Sequence, residues 1–207
     1  MRKVGLFGGT FDPPHIGHIK VLTEAQKRLG LDSLILIPAG GPPHKANKRV
    51  TDRSHRLHMA ELAFSGLPDC RISEYEIRKQ TPSYSVDLVK HFRQKLPDCE
   101  LYFIIGADSF ADLPTWWHYR ELLTLCRMIV VSRPDTEKAE LLQKFEGNET
   151  PPRVFFLDNV HMDISSTQIR ALIYANKDVS ELVPENVRQY IKENHLYESK
   201  ADEINSY

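Results

Sequence analysis

The 207-residue chain has only three cysteines, Cys70, Cys99 and Cys126, and none forms a CxxC pair. That excludes a disulfide framework and the common zinc signatures, and reads as buried, reduced thiols of a cytosolic protein. Net charge is also scarce, with 27 Lys and Arg against 28 Asp and Glu. A surface dedicated to nucleic acid needs a basic excess, so general nucleic-acid binding is disfavoured. No apolar run approaches the roughly 20 residues of a membrane span, and no basic, apolar, small-residue pattern marks a signal peptide. Without such a signal, Asn148-Glu149-Thr150 is not read as a glycosylation site. Ten glycines, thirteen prolines and 41% hydrophobic residues exclude a fibrous repeat and a disordered chain.

The near-neutral total hides a gradient. Residues 1–103 carry 16 Lys and Arg against 11 Asp and Glu, a net of +5; residues 104–207 carry 11 against 17, a net of −6. Apolar runs at 4–7, 34–37, 72–77, 101–105, 128–131 and 154–157 predict buried strands. Between them lie helical patterns: Ile16, Ile19, Leu22 and Leu29 closed by Gly30; Leu57, Ala60, Leu62, Ala63 and Phe64 closed by Gly66; Val86, Val89, Phe92 and Leu96 stopped by Pro97. Further helices are expected from Ser165 and over 184–194, with Pro184 in the first turn. This βαβα order implies an α/β fold, a parallel sheet with helices on both faces and a helical C-terminal segment, in one domain over 1–207. The polar stretch 198–207 reads as a frayed tail. Function should lie in the loops at the carboxyl ends of the strands.

The first of these loops runs Gly8-Gly9-Thr10-Phe11-Asp12-Pro13-Pro14-His15-Ile16-Gly17-His18. Paired glycines at a strand end let backbone N–H groups approach a phosphate, and a helix start adds its positive dipole end; the same glycines also suit an ordinary turn. His15 and His18, three apart, share a helix face. They could serve that phosphate, pack as caps, or ligate a metal. Ser165-Ser166-Thr167-Gln168 has the form of a capping box opening a helix that carries Arg170. Such a start is a good cap, and with three hydroxyls and a guanidinium it is also an anion site. Lys45, Lys48, Arg49 and Arg53 follow a Gly-Pro-rich loop, either a solvated face or a basic lid over phosphates. Trp116, near Asp108, could be a core residue or could stack on a heterocycle while Asp108 accepts bonds from ribose hydroxyls.

Together, these segments resemble the HxGH nucleotidyltransferases, and the fuller GGTFDPxHxGH resembles the bacterial nicotinate-nucleotide adenylyltransferases. The resemblance continues in order through Pro42-Pro43-His44-Lys45, Ser83-Tyr84-Ser85, Gly106-Ala107-Asp108 with Trp116, Arg133-Pro134 and Ile164 to Arg170. It implies a Rossmann-like fold and direct transfer of AMP from ATP to nicotinate mononucleotide, with His15 and His18 on the α-phosphate. It assigns Gly8, Gly9, Thr10, Phe11, Arg133, Ser165, Ser166, Thr167 and Arg170 to ATP, and Lys45, Tyr84, Ser85, Gly106, Asp108 and Trp116 to ribose or acceptor. Mg²⁺ would be held mainly by the ATP phosphates, with no protein metal site. Ser85 stands where that family has Thr, and Gln80-Thr81-Pro82 where it more often has Gly. The resemblance leaves nicotinamide mononucleotide, another phosphorylated acceptor, or a silent nucleotide sensor as alternatives. A cytoplasmic monomer or small homo-oligomer is expected.

Overall fold

The computed structural model describes residues 1–40, 50–79, 84–132, 137–158, 160 and 163–198. Six strands, β1 (Arg2–Gly9), β2 (Ser33–Pro38), β3 (Cys70–Ile72), β4 (Cys99–Gly106), β5 (Arg127–Val131) and β6 (Val154–Leu157), form one sheet in the order β3-β2-β1-β4-β5-β6. The order reverses direction at β1, the topological switch of a doubly wound α/β sheet. The register is parallel where β1 meets β4 (Val4 opposite Leu101), β4 meets β5 (Ile104 opposite Ile129) and β5 meets β6 (Val130 opposite Phe156).

The helices are α1 (Ile16–Leu29), α2 (Arg53–Phe64), α3 (Ser85–Lys95), α4 (Ala107–Ala111), α5 (Tyr119–Leu125), α6 (Lys138–Gln143), α7 (Ser166–Tyr174) and α8 (Glu185–Glu193). Gly30 closes α1 at φ +61°, a conformation that costs a β-carbon-bearing residue more than glycine. Asp52 caps α2, its carboxylate accepting the Ser54 N–H at 2.8 Å.

The chain divides into two compact units: Met1–Gly8, Val21–Leu36 and Tyr84–His161; and Gly9–Lys20, Ile37–Ser83 and Met162–Tyr207. In the first unit Leu6, Leu34, Leu101, Ile104, Met128 and Ile129 are at most 1% exposed. Each such side chain contributes on the order of 1.5–3 kcal/mol by leaving water. In the second unit α2 packs with α8, where Asn186 donates to the Leu62 carbonyl at 2.8 Å and the Tyr190 hydroxyl bonds His55 Nδ1 at 2.8 Å.

Four local expectations change. The strand expected over 72–77 is the three-residue β3. The chain then turns, with the Arg78 N–H bonding the Glu74 carbonyl and the Lys79 N–H the Glu76 carbonyl, so these backbone groups are spent on a local turn and not on a sheet ladder. The inner face of α2 is Arg56, Met59, Ala60, Ala63 and Phe64, so Leu57 and Leu62 sit at its margins. Pro184 is the N-cap of α8 rather than a residue of its first turn. Cys99 and Cys126 are buried, but Cys70, on β3, is only half-buried.

Candidate functional site

The second unit assembles the site around the turn that leaves β1. Ala39 N–H bonds the Gly9 carbonyl at 2.8 Å, and a β-carbon on Gly9 would come within 2.8 Å of the Phe11 ring. The absence of a side chain at Gly9 therefore lets the turn close over that ring. Phe11 is 1% exposed and at φ 50°, with its ring edge-on to His18 at 5.3 Å and to Phe64 at 5.4 Å. Its side chain backs the site. The Asp12–Pro13 peptide is cis.

His15 and His18 stack with centroids 3.6 Å apart and planes 26° apart. The His15 backbone N–H donates to His18 Nδ1 at 3.1 Å, so a neutral His18 carries its proton on Nε2, where it is a donor. His15 Nδ1 is buried and has no hydrogen-bond partner among the described residues. Burial lowers His15 to a pKa of about 4. Desolvation, then the neighbouring His15, lowers His18 well below 6.5. Two adjacent imidazoles that resist charging alone form a polar, uncharged surface. An incoming phosphate oxygen would favour protonation there and accept the N–H bonds they offer.

The start of α7 is tied to this turn. Ser165 Oγ accepts the Gln168 N–H at 3.1 Å, the cap read from the sequence. Ser166 Oγ donates to the Pro13 carbonyl at 2.8 Å. Arg170 Nη1 donates to the Asp12 carbonyl at 2.7 Å, and its Nη2 reaches Thr167 Oγ1 at 3.3 Å. The positive end of α7 and the Arg170 guanidinium are thereby fixed to the two residues just before Pro14 and His15.

Beneath the turn lies a polar core that the sequence reading missed. Arg56, 1% exposed, donates to the carbonyls of Thr51 at 2.9 Å, Thr10 at 2.9 Å and Gly40 at 3.3 Å. Asp12, 4% exposed, accepts the Tyr197 hydroxyl at 2.7 Å and the Thr51 N–H at 3.2 Å. A signal for Arg56 was present: it lies on the helical stripe with Met59, Ala60 and Ala63. Tyr197 had no such signal, lying in the stretch just before the polar tail.

Of the sequence-assigned residues, Gly9, Thr10, Phe11, His15, His18, Ser165, Ser166, Thr167 and Arg170 fall in this unit. Gly8, Tyr84, Ser85, Gly106, Asp108 and Trp116 fall in the other. There Gly106 precedes α4 as its N-cap, Asp108 lies in the first turn of α4, and Ser85 opens α3 after Tyr84. Trp116 is half-buried at the end of a 3-10 turn over Leu113–Thr115, its N–H bonded to the Leu113 carbonyl at 2.9 Å. Trp117, which the sequence reading left aside, is 62% exposed, with its ring 5.9 Å from that of Tyr84. Lys45, Arg133 and Ser83 lie outside the described residues, as do Pro42-Pro43-His44, Pro134, Lys48, Arg49 and Gln80-Thr81-Pro82. Among the described residues, no three His, Cys, Asp or Glu side chains converge as a metal site, and no helix is long and apolar enough to cross a membrane.

Residues 6–172 match the model of the cytidylyltransferase-like family. The chain is 40% identical over 199 residues to a nicotinate-nucleotide adenylyltransferase of Bacillus subtilis, covering 96% of this chain and 100% of that protein. It is 38% identical over 204 residues to a probable nicotinate-nucleotide adenylyltransferase of Clostridium tetani, covering 95% of this chain and all of that one. Among solved structures, the Plasmodium falciparum nicotinic acid mononucleotide adenylyltransferase complexed with NaAD superposes with a TM-score of 0.78 at 19% identity, over 95% of this chain and 98% of that one. At that identity the superposition speaks to the fold alone.

Proposed function

The chain belongs to the cytidylyltransferase-like family and, within it, to the nicotinate-nucleotide adenylyltransferases, and from this we propose that it transfers AMP from ATP to nicotinate mononucleotide. The observation that carries the reading is the stacked, uncharged His15–His18 pair, bound through Asp12 and Pro13 to Arg170 and the start of α7. Phosphate-binding groups from two distant parts of the chain converge on one turn, as transfer between two phosphorylated substrates requires.

A phosphate oxygen of the acceptor attacks the α-phosphorus of ATP. One P–O bond forms, the bond to the β-phosphate breaks, and pyrophosphate leaves with no covalent enzyme intermediate. His15 and His18 donate to the α-phosphate, with His18 acting through Nε2–H and gaining strength as negative charge builds. Gly8, Gly9 and Thr10 bring backbone close to the nucleotide, and Phe11 backs His18. Arg170 and the amides at Ser165, Ser166 and Thr167 take the outer phosphates, joined by Arg133, while Lys45 serves the phosphate of the acceptor. Ser166 contributes its amide, because its hydroxyl is committed to Pro13. Tyr84, Ser85, Gly106, Asp108 and Trp116 serve the ribose and acceptor. Mg²⁺, if bound with ATP, would supply charge neutralisation and would be held mainly by the phosphates and water, since the Asp12 carboxylate is already engaged by Tyr197 and Thr51. Three free thiols fit a reducing compartment and hence a cytoplasmic enzyme.

The test supplies ATP and Mg²⁺ with nicotinate mononucleotide, nicotinamide mononucleotide or phosphopantetheine separately and measures pyrophosphate. Release with nicotinate mononucleotide, lost by about 10²–10³-fold in His18→Ala, is expected. Release only with another acceptor would move the substrate assignment. No release with any acceptor would leave a nucleotide sensor, and near-normal turnover by His18→Ala would remove the role given to that ring.

A further inference from the structure

Tyr197 is separated from Asp12 by 185 positions, yet its hydroxyl is 2.7 Å from the Asp12 carboxylate and also 3.9 Å from Met59 Sδ. The residue is 2% exposed, and it adopts φ 66°, in the left-handed region that a non-glycine residue seldom occupies. A tyrosine held there, so near the end of the described chain, is kept by its side chain rather than by local backbone preference. What it holds matters more. The Asp12 carbonyl is the acceptor for Arg170, the Pro13 carbonyl is the acceptor for Ser166, and His15 follows two residues after Pro13. On the far side, Thr51 N–H bonds the same Asp12 carboxylate, while Arg56 grips the carbonyls of Thr51, Thr10 and Gly40. Arg56 and Asp12 are buried in the same network, where burial lowers the Arg56 pKa and the neighbouring Asp12 opposes that lowering.

We propose that Tyr197, with Arg56, is a positioning residue that sets the Asp12 peptide and through it the His15–His18 pair and Arg170. The inference rests on the adenylyl-transfer reading above. Neither side chain touches the reacting atoms. Both fix a turn from which the guanidinium and the first imidazole hang, and an ångström of drift there should cost turnover more than binding.

Tyr197→Phe removes one hydroxyl and keeps the ring that fills the space. Its kcat should fall roughly 10–100-fold, with KM for both substrates within about threefold of the starting protein. Tyr190→Phe, which removes the bond between Tyr190 on α8 and His55 on α2, is the matched control and should keep its kcat. Arg56→Lys keeps the charge but cannot span three carbonyls, and it should reproduce the kcat loss. The second readout does not need turnover: the ring ¹⁵N and ¹H signals of His15 and His18 should shift in Tyr197→Phe and stay in place in Tyr190→Phe. Wild-type kcat in Tyr197→Phe, a loss carried by KM alone, or unmoved ring signals would overturn the proposal. If the unaltered chain releases no pyrophosphate, the functional reading fails, and the ring signals still decide whether Tyr197 governs the pair. Should Tyr197→Phe not fold, Arg56→Lys carries the same two readouts.

Discussion

Lowering the pH from 7 to 5 should destabilise the folded chain through His15 by about 2 kcal/mol, because the native pKa near 4 lies below the unfolded value of about 6.5. Between those values the unfolded chain binds a proton that the folded chain refuses, so stability rises with pH. At pH 7 both states are nearly neutral at this site and the contribution is present. At pH 5 the unfolded imidazole is almost fully protonated and the folded one is not, and most of the roughly 3 kcal/mol implied by the shift is already gone. His18 is lowered by the same desolvation, and its contribution has the same sign. Asp52, Asp158 and Asp178, held low chiefly by side-chain hydrogen bonds, also lose stability on acidification, but in the carboxylate range below pH 5. The assay is urea unfolding at pH 7, 6 and 5 for the chain and for His15→Asn, whose amide cannot take up the proton. The pH 7 to 5 loss should be smaller in His15→Asn by about 2 kcal/mol or more, since the variant loses the His15 titration and also the lowering that His15 imposes on His18. Parallel pH profiles for the two proteins would refute both the burial of a neutral His15 and the uncharged surface on which the phosphate site is argued.

Two further outcomes follow from local geometry. Ser165→Ala leaves the Gln168 N–H without its cap and should cost about 1 kcal/mol in thermal or urea unfolding, with weaker ATP binding because the α7 start frays. Gly40→Ala would put a β-carbon 2.0 Å from the Glu76 carbonyl oxygen, forcing backbone to move where Arg56 is bonded, and should cost about 1–3 kcal/mol together with turnover. An unchanged unfolding midpoint in either variant would contradict the packing described.

Much of this molecule was legible in its residues because the responsible forces act over a few positions. Periodicity marked five of the six strands, since a strand buried on both faces must be apolar along its length. It failed at 72–77, where Ile72 and Ile77 frame polar residues that turn, and at α2, where a charged Arg56 occupies a core position that apolar counting gave to Leu57. The Ser165 cap was readable because donor and acceptor are three residues apart. The HxGH pair could be seen, but its state could not. Only folding places the His15 amide on His18 Nδ1, fixes the proton on Nε2, and desolvates both rings.

The sequence alone determined the α/β order and, by the ordered spacing of its motifs, the family to which the chain belongs. Tertiary structure decided which groups act on one another. It turned the Ser166 hydroxyl toward Pro13, buried Arg56 under the turn, and brought Tyr197 onto Asp12 across nearly the whole chain. The physical reason is separation: a hydrogen bond formed across some 185 positions leaves no periodic trace in sequence, and its strength comes from a buried environment that exists only once the core has closed.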